Sequence, residues 1–196
     1  MSFGKLYMAE GNPRSVVLQS VAKANGLELE IESFDLAAGG TPEEYKKINK
    51  LGKIPTFVGN DGYVLSECIA IAIYLTSQNE KTTLLGKTKK DYASILRWMS
   101  FANGELLPAL AGWFRPLVGR DPYNKKSVED SMNRTLKTVG VLEEHLQSNT
   151  YLVGERVTLA DLFVTSMIRR GFTMFFDKKW RSENPNTTRW YETVYN

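Results

Sequence analysis

Few side chains in this sequence are obvious carriers of chemistry. Cys68 is the only cysteine and His145 the only histidine. A single cysteine excludes an intramolecular disulfide and fits a reducing, cytoplasmic setting. One of each, far apart in the chain, is too few for a usual zinc site, and no metal is expected. His145 lies in "VLEEHLQS", where a surface or helix-end role is the reading. The sequence has no phosphate-binding glycine-rich loop and no recognisable nucleophile triad. Two short polar stretches remain. In "EGNPRS", residues 10–15, Asn12, Arg14 and Ser15 stand where a helix begins, and one reading makes Asn12 its cap with Pro13 in the first position. In "GKIPTFVGNDGYVLSECIAIAIYL", residues 52–75, Lys53, Ile54 and Pro55 precede a short apolar run, and Glu67 and Cys68 open another helix. Free N–H groups and the positive dipole end of such a helix attract a carboxylate. The stretch therefore either forms a pocket for a small peptide-like acid or only folds the domain.

These residues must be positioned by short elements. "KLYMA" reads as a strand and "NPRSVVLQSVAKANG" as a helix stopped by Gly26. "LELEIESF" alternates apolar and acidic residues, a strand with one wet face. "TPEEYKKI" predicts a helix capped by Thr41, with Pro42 in its first position and Glu44 three residues after the cap. "TFV" and "YVL" form a hairpin across "GNDG", and a helix from about Glu67 to Asn79 closes the series. The order is βαβ followed by αββα. From residue 90 onward every pattern is helical. "DYASILRWMSFANGELLPALAGWF" is one long helix kinked at Pro108. Val128, Met132, Leu136, Val139 and Leu142 mark the apolar face of a second. "TLADLFVTSMIRRGFTMFF" is a third helix and "TTRWYETV" a short fourth. The expected domains are 1–80 and 91–196, with a polar linker over 81–90.

Composition narrows the function classes. Of the 196 residues, 42% are apolar and 24% charged, and the net charge is only +3. Basic pairs such as Lys89-Lys90 and Lys125-Lys126 are interspersed with carboxylates, which argues against direct nucleic-acid binding. No apolar run is long enough to span a bilayer, so no membrane partner is expected.

The βαβ–αββα order, with a proline before its third strand and a helical domain after it, resembles the glutathione transferase superfamily. "KIP" at 53–55 is similar to that superfamily's cis-proline motif, "LSECIAIAIYL" at 65–75 to its second helix start, and "LVGERVTLADLFV" at 152–164 to its capping-box motif. The resemblance implies an α/β thioredoxin-like N-terminal domain and an all-α C-terminal domain. It implies glutathione as substrate or ligand, with Lys53, Ile54 and Pro55 on its cysteinyl part and Glu67 and Cys68 on its γ-glutamyl carboxylate. The superfamily's serine is replaced by Cys68, a weaker donor whose use would cost about 0.5–1.5 kcal/mol of affinity. The alternative is that Cys68 is a small buried filler. Conjugation needs a group that stabilises the glutathione thiolate. The resemblance offers the Asn12 amide, with positive potential from Arg14, while Ser15 would contribute only if the helix starts late. Tyr7, inside the first strand, reads as core. Thr158 and Asp161 form a structural capping box.

Further stretches resemble one branch of that superfamily, the N-terminal domain of the gamma subunits of eukaryotic translation elongation factor 1B. They are "WMSFANGELLPALAGWFRPLVG", "PYNKKSVEDSM", "YLVGERVTLADL" and "ENPNTTRWYETVYN". That resemblance implies a scaffold that binds the nucleotide-exchange subunit of the factor, retention of glutathione binding, and a homodimer. The alternative is an active transferase that conjugates glutathione to small electrophiles. Trp98, Phe101, Trp113, Phe114 and Phe172 are candidates for a partner or co-substrate surface, although aromatics at helical spacing usually form core. Trp113, Phe114 and Arg115 are the exception, because adjacent helix residues point about 100° apart.

Overall fold

The computed structural model describes residues 2–36 and 40–196. The chain divides into two compact units, Met1–Leu85 and Gly86–Asn196. In the first, β1 (Gly4–Met8), α1 (Pro13–Ala24) and β2 (Leu29–Ser33) are followed by a 3-10 helix (Glu43–Lys47), then β3 (Thr56–Gly59), β4 (Val64–Ser66) and α2 (Cys68–Ser77). The sheet order is β2-β1-β3-β4, with β1 and β2 parallel and the other pairs antiparallel.

Register explains the faces. Leu6 pairs with Phe57 and Tyr7 with Thr56, so Leu6 and Phe57 share one face and Tyr7 and Thr56 the other. On the first face Leu6, Met8 and Phe57 are buried, as are Val17, Leu18, Ile71 and Leu75 of α1 and α2. On the other face Tyr7 is half-buried beside Phe34 and Tyr45, with ring centroids 6.1 and 5.4 Å away. Tyr7 thus belongs to a small aromatic cluster and not to the core that its strand position suggests.

Two local expectations change. Residues 43–47 form a 3-10 turn, not an α-helix capped by Thr41; the Thr41 hydroxyl donates to the Gly52 carbonyl at 2.8 Å and ties the loop together. The hairpin forms as expected across Asn60–Tyr63: Gly62 takes φ +85°, and the Gly59 N–H donates to the Tyr63 carbonyl.

The second unit is helical: α3 (Lys89–Phe101), a π turn (Ala102–Leu106), α4 (Leu107–Leu117), α5 (Lys125–Leu146), α6 (Leu159–Met174), α7 (Lys178–Glu183) and α8 (Pro185–Tyr195). Helix α3 begins inside the stretch expected as linker. Pro108 has no N–H to offer the carbonyl of Gly104, and the long helix opens into the π turn just before it. In α5 Thr135 takes the inward position and Leu136 faces out, because Thr135 returns its hydroxyl to the Ser131 carbonyl and can be buried. The six residues of α7 lack an apolar period and were not anticipated. No described helix is long and apolar enough to cross a membrane.

Candidate functional site

The strand ends bring the first unit's candidates to one edge of the sheet. Tyr7 pairs with Thr56 and Thr56 with Ser66, so the chain after β1, the chain before β3 and the chain after β4 leave the sheet together. The continuations carry Asn12, Ile54-Pro55 and Glu67-Cys68. Helices α1 and α2 therefore both start at this edge, and their dipoles favour an anion there.

Asn12 caps α1: its Oδ1 accepts from the Arg14 N–H at 3.0 Å, and Pro13 takes the first helical position. Among the described residues nothing accepts from the Asn12 side-chain NH2, so the cap leaves an amide donor available. Because the helix starts at Pro13, Ser15 lies inside its first turn. It is buried, and its hydroxyl has no partner among the described residues. Arg14 lies near enough to Cys68 to favour the thiolate electrostatically.

The Ile54-Pro55 peptide bond is cis, as the resemblance implies. Its approach is clamped through one carbonyl. The Tyr45 hydroxyl and the Asn49 Nδ2 each donate to the Lys53 carbonyl at 2.9 Å, and both also reach the Thr56 hydroxyl, at 2.7 and 3.0 Å. Ile54 follows directly, and among the described residues neither its N–H nor its C=O is paired with the chain. Burial pushes the Tyr45 phenol pKa up, against the pull of its bonds to Thr56 and Asn49. The Tyr45–Asn49–Thr56 clamp is the part of the site that sequence reasoning missed. Only the buried tyrosine beside a Lys-Ile-Pro segment could have hinted at it.

Glu67 has φ +69° and ψ 115°, the only described non-glycine residue with positive φ. Such a conformation costs about 1–3 kcal/mol and persists where the surroundings impose it. Its side chain is exposed, and no side-chain hydrogen bond caps α2. Cys68 is only 3% exposed. Burial pushes its thiol up to about 11, against the opposing pull of Arg14. It is thus protonated at neutral pH and unsuited to act as a nucleophile.

In the second unit Trp98 and Phe172 are buried, and Phe101, Trp113 and Phe114 are half-buried. Trp113 stacks on Phe175 with centroids 3.8 Å apart. Arg115 is held by Asp121 through two 2.7 Å hydrogen bonds. The Nε2 of His145, in the last turn of α5, lies 3.0 Å from the Leu152 carbonyl oxygen, and that same oxygen accepts from the Trp98 indole N–H. His145 holds the packing of the helices. No group of three or more His, Cys, Asp or Glu among the described residues is placed to hold a metal.

Comparison with known proteins fits this geometry. The glutathione S-transferase N-terminal domain family matches residues 2–77 and the C-terminal domain family residues 106–196. The glutathione S-transferase stcT of Emericella nidulans is 49% identical over 100% of this chain and 88% of that protein. The chain belongs to the glutathione S-transferase family. The transferase psoE of Aspergillus fumigatus is 48% identical over 99% of this chain and 80% of its own length. The crystallised transferase-like domain of elongation factor 1-gamma from Saccharomyces cerevisiae superposes on this transferase-family fold with a TM-score of 0.83, at 38% identity over 99% of this chain and 89% of that one.

These relatives overturn the expectation of an elongation-factor scaffold with a nucleotide-exchange partner. Elongation factor 1-gamma 1 of Saccharomyces cerevisiae is 40% identical, over only 47% of its length, and other elongation factor 1-gamma chains are 33–36% identical. The fungal transferases stcT and psoE are more alike, at 49% and 48% identity, and are spanned more fully. The structure shows why the quoted motifs misled. Trp98 of "WMSFAN" is buried and bonds the Leu152 carbonyl, and Asn124 of "NKK" caps α5. In "PNTTRW", Asn186 and Thr187 donate to Glu143 and Trp190 donates to Asp161. These motifs encode packing within the helical unit, which a transferase needs as much as a scaffold does.

Proposed function

We propose that this chain is an active glutathione transferase that conjugates reduced glutathione to small electrophiles. The observation that carries the reading is the sheet edge where the unpaired backbone of Ile54 lies beside two helix starts. An extended peptide can bond the Ile54 N–H and C=O as an added strand would. The start of α2, with Glu67 and the backbone around Cys68, takes the γ-glutamyl end, and Lys53 adds a cation beside Ile54. The Asn12 amide donates to the sulfur, and Arg14 adds positive potential, which together favour the thiolate. The thiol proton leaves to solvent. The thiolate then forms a carbon–sulfur bond with the electrophile, and the leaving group departs with the electron pair of the broken bond.

The experiment is calorimetric titration of reduced glutathione, paired with turnover of an activated aryl halide followed by halide release. Binding together with glutathione-dependent halide release is the expected result. A folded protein that takes up no glutathione at millimolar concentration would overturn the reading. We further propose a homodimer in the cytoplasm, to be checked by light scattering and fractionation.

A further inference from the structure

The edge of the sheet opposite the candidate site holds a cavity. Gly4 pairs with both Leu29 and Gly59, so the starts of β1 and β2 and the end of β3 meet there. Helices α1 and α2 start at the first edge and end toward this one, where their dipoles favour a cation. Gly26, just beyond α1, and Tyr74, near the end of α2, both line the cavity, whose volume of about 580 Å³ is that of a small-molecule site. Its walls are tied together. The Phe3 N–H donates to the Glu28 carbonyl at 2.7 Å, and the Asn60 Nδ2 donates to the Ser2 carbonyl at 2.6 Å. These bonds fix the chain before β1 against the start of β2 and against the hairpin turn.

Two rings and two carboxylates carry the chemistry of the lining: Phe3, Tyr74, Glu28 and Asp61. Phe3 stacks on buried Phe57 with centroids 5.7 Å apart, and Tyr74 lies 5.6 Å from that ring and 5.3 Å from Tyr63, so neighbours hold both rings in place. Glu28 and Asp61 are exposed, and among the described residues no ion pair reaches either. Lys23, in the last turn of α1, pairs with neither. One Asp61 oxygen accepts from the Tyr63 N–H at 2.9 Å. Asn25, next in the chain to Gly26, is buried, and its Oδ1 has no partner among the described residues. No described lysine, arginine or histidine lines the cavity. It thus offers negative charge, free acceptors and aromatic rings, the complement of an organic cation.

We propose that this cavity binds small aliphatic polyamines, with ammonium groups on Glu28 and Asp61 and the methylene chain along Phe3 and Tyr74. A single ammonium would leave one carboxylate unmatched, whereas a polyamine meets both. A metal ion fits less well: no group of three or more His, Cys, Asp or Glu among the described residues is placed to hold one, and a hard cation needs more oxygen ligands than two carboxylates supply. Every residue invoked lies in Met1–Leu85, at the other end of the sheet from Ile54 and the two helix starts. The binding needs no glutathione, so the proposal stands apart from the conjugation reading.

The test is calorimetric titration of the full chain, without glutathione, with spermidine and with the monoamine butylamine at low salt. Spermidine should bind about tenfold more tightly, and that preference should shrink as salt is raised. Glu28→Gln and Asp61→Asn each remove a charge while keeping the shape of an exposed side chain. Both should fold as the parent does and weaken spermidine binding several-fold. Glu30→Gln removes the same charge from β2 beside Lys5, outside the cavity, and should leave spermidine binding unchanged. Absence of spermidine binding, equal binding of the two amines, or unchanged spermidine binding by either folded cavity variant would overturn the proposal. An equal loss in Glu30→Gln would also overturn it and assign the binding to diffuse surface charge.

Discussion

The starts of α2 and α6 each carry an acidic residue, and they are built in opposite ways. At α6 the Asp161 carboxylate, 0% exposed, accepts from the Thr158 N–H at 2.8 Å and from the Thr158 hydroxyl at 3.0 Å. Its other oxygen accepts from the Leu152 N–H at 2.9 Å and the Trp190 indole N–H at 2.8 Å. At α2 the Glu67 side chain is exposed, caps nothing, and sits on a backbone at φ +69°. A helix start that satisfies its own donors contributes stability. One held in a costly conformation, with its acidic side chain unengaged, leaves its groups open to a ligand.

The largest expected effect tests the closed start. Asp161→Ala strands the Leu152 and Trp190 donors and removes the reciprocal contact with Thr158, so it should destabilise the protein by about 4 kcal/mol in urea unfolding. Glutathione affinity measured on the fraction still folded should not change. A cost below about 1 kcal/mol would mean that the buried carboxylate is not the hub its geometry indicates.

The open edge should respond in activity before stability. Asn12→Asp keeps an oxygen acceptor at the cap of α1 but replaces the amide donor with a negative charge. Stability should change little, while kcat for conjugation should fall by about 100-fold. Asn12→Ala separates the roles in the other direction, losing about 1 kcal/mol of stability as the cap is lost. Equal activity in Asn12→Asp and the parent would remove Asn12 from the chemistry and leave it a cap.

Glu67 tests the comparison through opposite signs. Glycine accepts positive φ without strain, so Glu67→Gly should raise stability by about 1 kcal/mol in thermal or urea unfolding. The same change removes a polar side chain from the γ-glutamyl end, and glutathione affinity should fall by about tenfold. A variant that is both more stable and equally tight would show that the conformation does not serve binding.

How much of this was legible before the structure depends on the kind of interaction involved. Elements set by periodicity, such as α1, α2 and α5, could be read directly, as could Pro13, Pro55 and the Asn-Asp-Gly turn. The Glu43–Lys47 turn was misread because Thr41 has two uses, and only the fold brings the Gly52 carbonyl within its reach. Asn12, Ile54 and Glu67 could be named as candidates because each falls on a stretch that resembles a motif of the superfamily. The Tyr45–Asn49 clamp on the Lys53 carbonyl could not, since side-chain bonds to a distant backbone group leave no spacing signature. The ion pair of Arg115 with Asp121 was hidden as well, because six residues is not a helical contact spacing.

Cys68 carries the smallest expected effect and lies on the boundary of the comparison, at the open helix start yet 3% exposed. Burial pushes its thiol up to about 11, so the folded chain holds this proton more tightly than the unfolded chain does. A group whose pKa is raised on folding contributes stability in full below its unfolded pKa and loses it as pH rises through the folded one. The unfolding free energy should therefore fall with pH between about 9 and about 11, and Cys68→Ser should remove that part of the slope while the other titrations cancel in the difference. Serine also supplies a stronger donor, so glutathione affinity should rise a few-fold if the ligand's carboxylate reaches position 68. A loss of the slope with no change in affinity would assign Cys68 to packing alone. Parallel slopes would mean that the thiol meets solvent, and the start of α2 would then be more open than its burial indicates.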